Sequence, residues 1–131
     1  MQKRIHQLLQ ADKLFKVVAL FATFSLLFLS LKPPGEDSQA LDILFIRADL
    51  VLHFIGYFGL TLLYFFAFYT HTNTLLKAYV FAMLIGVCTE ILQLIPIFQR
   101  HFDFVDLIAN LFGGFCAWLI SKRFFYYSID N

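Results

Sequence analysis

The sequence predicts an all-α integral membrane protein, a bundle of four helices with both termini in the cytoplasm. Three observations carry this prediction: the high apolar content, the lengths of four apolar runs and the uneven distribution of basic residues. The 131-residue chain is 60% hydrophobic and has a mean hydropathy of +0.75, whereas soluble domains are about 45–50% apolar. A soluble core of this size cannot bury so much apolar surface, but lipid can cover it.

Each of the four apolar runs has about the length, roughly 20 residues, that a helix needs to cross a bilayer. Inside lipid a segment must satisfy its own backbone hydrogen bonds, so these runs are expected to be helices. The strict alternation of a membrane β-barrel strand is absent from them. The predicted spans are residues 14–31, 50–70, 75–95 and 104–121 of a single membrane domain.

The basic residues predict how the helices are oriented. An even number of spans puts seven of the ten Lys and Arg residues on the side of the two termini. By the positive-inside rule this side is the cytoplasm, and the membrane is expected to be the bacterial cytoplasmic membrane. The loop of residues 32–49 and the turn of residues 96–103 then face outward. With a net charge of +1 and no basic stripe, nucleic acid is not an expected partner; the lipid bilayer is.

Polar residues gather at the outer ends of the second, third and fourth spans. A charge at the centre of a membrane helix costs about 3 kcal/mol on insertion scales, so each of these residues is a candidate for function. Helical spacing puts the polar residues of each span on one face of its helix. Nearby glycines allow another helix to approach closely. If the helices form a bundle, the three faces converge on one outward-opening pocket. The candidates are Asp49, His53 and Tyr57, then Glu90 and Gln93, and finally Arg100, Asp103, Asp106 and Asn110.

His53 and Glu90 each allow a structural and a functional interpretation. His53 is expected either to hydrogen-bond to a neighbouring helix or to bind a metal or transfer a proton, since imidazole does both near neutral pH. Glu90 lies deeper than the other acids and is expected either to pair with Arg100 or His53 or to serve in function. Together with Asp106, these two residues are the candidates for acid–base catalysis.

Asp103 and Asp106 are expected either to cap the fourth helix or to bind a cation. Hard divalent ions prefer carboxylate oxygens, so Glu90, Asp103 and Asp106 are the candidate metal ligands and a divalent cation is the candidate cofactor.

The remaining polar candidates suit either a ligand or a neighbouring helix. Arg100 is expected to bind a phosphate or carboxylate bidentately, or to pair with Asp103. Gln93 and Asn110 are expected to contact a sugar or peptide head group, or to hydrogen-bond between helices.

Read in order, these residues resemble the VanZ-like family, over residues 47–121. The family is named after an accessory protein of glycopeptide (teicoplanin) resistance, so the resemblance implies a bacterial cell-envelope protein and an effect on glycopeptide susceptibility. Family members often have a lysine after the first aspartate, where this chain has Leu50. The matching pattern is Asp49-x3-His53-Phe54-x2-Tyr57-x2-Leu60, Glu90-x2-Gln93 and Arg100-x2-Asp103-x2-Asp106-x3-Asn110-x2-Gly113.

Three functions are compatible with this sequence. The first is binding or modulation of a lipid-linked or peptide-bearing cell-envelope component in the outward-facing pocket. The second is a membrane-embedded, metal-dependent hydrolase or transferase acting on a lipid head group, although the chain has no HExxH or GxSxG motif. The third is a small lipid or solute transporter with Glu90 as a proton relay. A transporter is expected to be a homo-oligomer, because four helices leave little room for a pathway.

Overall fold

Four long helices make up most of the part of the chain that this computed structural model describes, which is residues 12–33, 42–43, 46–69 and 71–126. All four are long and apolar enough to cross a membrane, with mean hydropathies of 1.6–2.2. The predicted all-α fold with four membrane-length helices is therefore confirmed. The helices are α1 (Asp12–Leu31), α2 (Ala48–Ala67), α3 (Thr74–Leu92) and α4 (Phe104–Ser121).

The smaller elements lie between or after these helices. Strands β1 (Asp42–Ile43) and β2 (Ile46–Arg47) form an antiparallel pair just before α2. A short 3-10 helix (Pro96–Phe98) separates α3 from α4, and a π-helical turn (Lys122–Tyr126) extends α4. Much of the predicted outer loop of residues 32–49 falls outside the described residues.

Two helices end before their apolar runs do. The runs continue to residues 70 and 95, but α2 ends at Ala67 and α3 at Leu92. After α3 the chain turns because Pro96 has no N–H and disfavours helical backbone at Ile95, which is extended with φ −73° and ψ 123°. Hydropathy marks the apolar segment, whereas the turn chemistry decides where the helix stops.

Helix α2 is central and packs against the other three helices. Its buried residues, among them Tyr57, Leu60 and Phe65, form the core together with Ala78 and Ala82 of α3. Helix α1 is peripheral: only 11% of its span is buried in the protein. Its outward side chains, such as Phe21 at 74% exposure, are apolar and suit contact with lipid.

Glycine brings α4 against the backbone of α2. A Cβ atom on Gly113 would lie well inside van der Waals distance of the Phe54 carbonyl oxygen, so only glycine fits there. A Cβ on Gly56 would meet the Leu26 side chain of α1 at 2.7 Å. Gly59 has no atom within 4 Å of such a Cβ, so Gly56 and Gly113 lie at close contacts between helices and Gly59 does not.

A buried hydrogen bond joins α1 to α2. The Thr23 hydroxyl donates to the Ala19 carbonyl at 2.8 Å, so the Tyr64 hydroxyl, 2.6 Å away, donates to Thr23. We expect Thr23→Val and Tyr64→Phe to destabilise the protein with a coupling of about 0.6 kcal/mol, the average for such bonds in membranes. A double-mutant cycle from denaturation in mixed micelles measures this coupling. Strictly additive effects would contradict it.

Candidate functional site

The C-terminal ends of α1 and α3 lie beside the N-terminal ends of α2 and α4, and we call this region the polar end. Two side chains form hydrogen bonds there to backbone carbonyls at the end of α1 and just after it. Gln93 Nε2 donates to the Ser30 carbonyl at 3.2 Å, and Arg100 Nε donates to the Lys32 carbonyl at 2.8 Å. Both bonds connect the segment after α3 to the end of α1.

Asp103 is the N-cap of α4. Its Oδ1 accepts the backbone N–H of Val105 at 2.8 Å, which satisfies one of the donors that a helix start leaves free. The expected capping role of Asp103 is therefore observed.

Three ionisable side chains from three helices meet below this cap. His53 of α2, Glu90 of α3 and Asp106 of α4 each offer one donor atom, and these atoms all lie within 4.8 Å of one another. We call these residues the triad. Glu90 is 0% exposed and Asp106 is 5% exposed, so the triad is largely shielded by protein.

The two nitrogen atoms of His53 face two residues of α4. Nδ1 lies 2.9 Å from Asn110 Oδ1, and Nε2 lies 3.7 Å from Asp106 Oδ2. Asp106 and Asn110 are one helical turn apart and share a face of α4, which is why a single imidazole ring meets both. An amide oxygen only accepts hydrogen bonds, so Nδ1 carries a proton. In the neutral ring the lone pair is then on Nε2 and points toward Asp106.

Few groups in the structure stabilise a negative charge on the Glu90 carboxylate. Among the described residues, neither of its carboxylate oxygens makes a hydrogen bond of ordinary geometry. His53 and the backbone N–H of Asp103 attract a negative charge on Glu90, whereas the Asp103 and Asp106 carboxylates repel it. An ionised carboxylate buried without adequate partners costs several kcal/mol. Glu90 therefore needs either a proton or a cation.

Tyr57 has a structural contact next to the triad. Thr89 donates to the Ile85 carbonyl at 2.8 Å, so the Tyr57 hydroxyl, 3.2 Å from Thr89 Oγ1, donates to that oxygen. The sequence did not single out Thr89. Its position next to Glu90 in an apolar helix could have indicated a hydrogen bond between helices, because a hydroxyl there needs a partner.

Two cavities adjoin at the polar end. A polar cavity of about 310 Å³ is lined by Gln93, Asp103 and Asp106 together with Asp49 and Arg100. An apolar cavity of about 320 Å³ lies between α1 and α2 and shares Asp49 and Arg100 with the first. Its remaining lining consists of Leu26, Leu29, Ser30, Leu52, His53, Ile55, Gly56 and Tyr57.

The structure thus separates the predicted site residues into groups. His53, Glu90 and Asp106 form the triad with Asn110 behind it, while the other candidates line the cavities. Arg100 donates a hydrogen bond to a backbone carbonyl, and Gln93 makes a hydrogen bond between helices, which was one of its two expected roles.

Comparison with protein-family models, with curated proteins and with solved structures gives no significant match. We therefore infer function from the site itself.

Proposed function

We propose that this chain is a VanZ-like protein of the bacterial cytoplasmic membrane that binds the anionic head group of a lipid-linked cell-envelope component. The observation that carries the proposal is the pair of adjoining cavities, one polar and one apolar, that share Asp49 and Arg100. An amphiphile requires this arrangement, since its head group needs polar partners while its chain stays in an apolar groove.

Arg100 is the expected partner of the anion. It lines both cavities, and its bond to the Lys32 carbonyl holds the guanidinium at their junction. Guanidinium groups bind phosphate bidentately and are always charged. Gln93, in the same cavity, supplies amide groups that suit a sugar or peptide part of the head group.

The distribution of charge supports an outward-facing polar end. Lys13, Lys16, Lys77, Lys122 and Arg123 all lie near the opposite end of the helices and are exposed. The positive-inside rule assigns that end to the cytoplasm. Both termini are then cytoplasmic, and the cavities open toward the outer leaflet.

Binding to a polyprenyl phosphate tests the proposal. We expect the purified protein to bind this lipid saturably in native mass spectrometry, and to bind the uncharged polyprenol far more weakly. Arg100→Gln is expected to lower the affinity at least about tenfold, because a hydrogen bond to a charged group contributes about 1.5–3 kcal/mol.

Lys77→Gln is the matched control, since it removes one positive charge at the opposite end of α3. It is expected to bind the lipid as the unaltered protein does. Equal binding of phosphate and alcohol, or an unchanged affinity in Arg100→Gln, would contradict the proposal.

A further inference from the structure

We propose that His53, Glu90 and Asp106 bind a divalent transition-metal ion, for which Zn²⁺ is the best match. The donor atoms come from three helices and already lie within 4.8 Å of one another, with His53 Nε2 and Asp106 Oδ2 at 3.7 Å. Tetrahedral Zn²⁺, with bonds of about 2.0–2.2 Å, holds its ligand atoms about 3.3 Å apart. The ligand atoms therefore have to approach one another by at most about 1.5 Å.

The orientation of His53 is the one that a metal ligand requires. Asn110 Oδ1 accepts the proton of Nδ1 at 2.9 Å, so in the neutral imidazole the lone pair is on Nε2, which lies 3.7 Å from Asp106 Oδ2. Histidines that bind metals almost always donate their second N–H to an oxygen in this way, because the bond fixes both tautomer and ring orientation. Asn110 therefore acts as a positioning residue for His53.

Glu90 is a second, independent observation that indicates a cation. Its side chain is completely buried, and its two oxygens have no hydrogen bond of ordinary geometry among the described residues. Nearby, His53 Nε2 and Asp106 Oδ2 lie 3.7 Å apart, so a cation beside Glu90 would have both as further ligands. One divalent ion bound by all three residues compensates the buried charge of Glu90.

The ligand set selects the class of ion. Mg²⁺ and Ca²⁺ are bound mainly by oxygen ligands in sites of six or more positions, whereas imidazole favours the later transition metals. Three protein ligands with an open fourth position are typical of catalytic zinc sites. Asp106 also lines the polar cavity, so an ion bound to it would lie next to that cavity. That a lipid phosphate would coordinate there is the one part of this inference that rests on the proposed function.

The experiment uses the full chain in detergent, without lipid, so that its outcome is independent of lipid binding. The protein is stripped with a chelator and titrated with Zn²⁺ by calorimetry, and Co²⁺ is added separately to record its visible absorption. We expect one ion per chain and the intense absorption of tetrahedral Co²⁺. Glu90→Gln, Asp106→Asn and His53→Gln are each expected to weaken binding by at least about 100-fold, the upper end of what losing an outer-shell partner costs.

Asp103→Asn is the matched control. It removes a carboxylate from the same cavity and keeps the N-cap, because asparagine caps as well as aspartate, so one ion per chain is expected to remain. This variant also tests the sequence-based choice of Asp103 as a ligand: if it loses the ion while His53→Gln keeps it, the proposed ligand set is overturned.

The unaltered protein provides a test that does not depend on the folding of variants. X-ray absorption at the zinc edge is expected to show one imidazole nitrogen and otherwise oxygen ligands at about 2.0–2.2 Å. Failure to bind a stoichiometric ion, or a metal shell without imidazole, would overturn the proposal. Glu90 would then be compensated by a proton, and the lipid-binding proposal would still stand on Arg100 and the cavities.

Discussion

Replacing Gly113 with alanine is expected to destabilise the bundle by about 3 kcal/mol, the upper end of the usual cost of overpacking. The added Cβ would overlap the carbonyl oxygen of Phe54, and backbone cannot move aside as a side chain can. Helix α4 would have to move away from α2. Since Asn110 lies about one turn before Gly113 on the same face, the bond between Asn110 and His53, now 2.9 Å long, is expected to break as well.

Gly59→Ala is the control for this substitution. Gly59 lies within α2, but a Cβ there would have no atom within 4 Å. Alanine is expected to be neutral or to stabilise α2 by about 0.5–1 kcal/mol, because it loses less conformational entropy on folding. Denaturation of both variants in mixed micelles measures the difference. Similar stabilities for the two variants would show that α2 and α4 are not held in backbone contact.

Replacing Glu90 with methionine is expected to stabilise the metal-free protein by about 2 kcal/mol. Removing a buried group without adequate partners recovers its desolvation cost, which is about 1–3 kcal/mol and more for a charged group. Methionine has a similar volume and a flexible side chain that fills irregular space. A residue that costs stability in this way is typically kept for function.

The neighbouring residue Gln93 supplies the opposite case. It is also buried, at 3% exposure, but its amide donates to the Ser30 carbonyl. Gln93→Met breaks that bond and is expected to lower the unfolding free energy by about 1 kcal/mol. Denaturation in the presence of a chelator measures the free energy of unfolding of both variants. A lower value for Glu90→Met than for the unaltered protein would show that Glu90 has structural partners.

Adding zinc is expected to reverse the order of stability. At a free Zn²⁺ concentration 100 times its Kd, a site stabilises the folded protein by about 2.7 kcal/mol. Glu90→Met lacks one member of the triad, so its stability should rise little when zinc is added. Unfolding midpoints of both proteins, measured with and without zinc, therefore test whether the residue that lowers the stability of the metal-free protein is also a zinc ligand.

The sequence was sufficient to predict the helices and the face on which each polar group lies. Four apolar runs of membrane length left no alternative to helices, because backbone groups in lipid must bond within their own segment. Helical periodicity put His53 and Tyr57, or Asp106 and Asn110, on common faces. The ends of α2 and α3 were placed less well, since apolar residues continue into the turns.

Only the tertiary structure decided which of these residues meet. From sequence, Asp103 was a candidate metal ligand on the same terms as Glu90 and Asp106, whereas the structure brings His53 to those two and uses Asp103 as the cap of α4. Spacing within one helix does not reveal its rotation and depth relative to the next. Those depend on packing, above all on the contact of Gly113 with Phe54. That contact places Asn110 and Asp106 opposite His53.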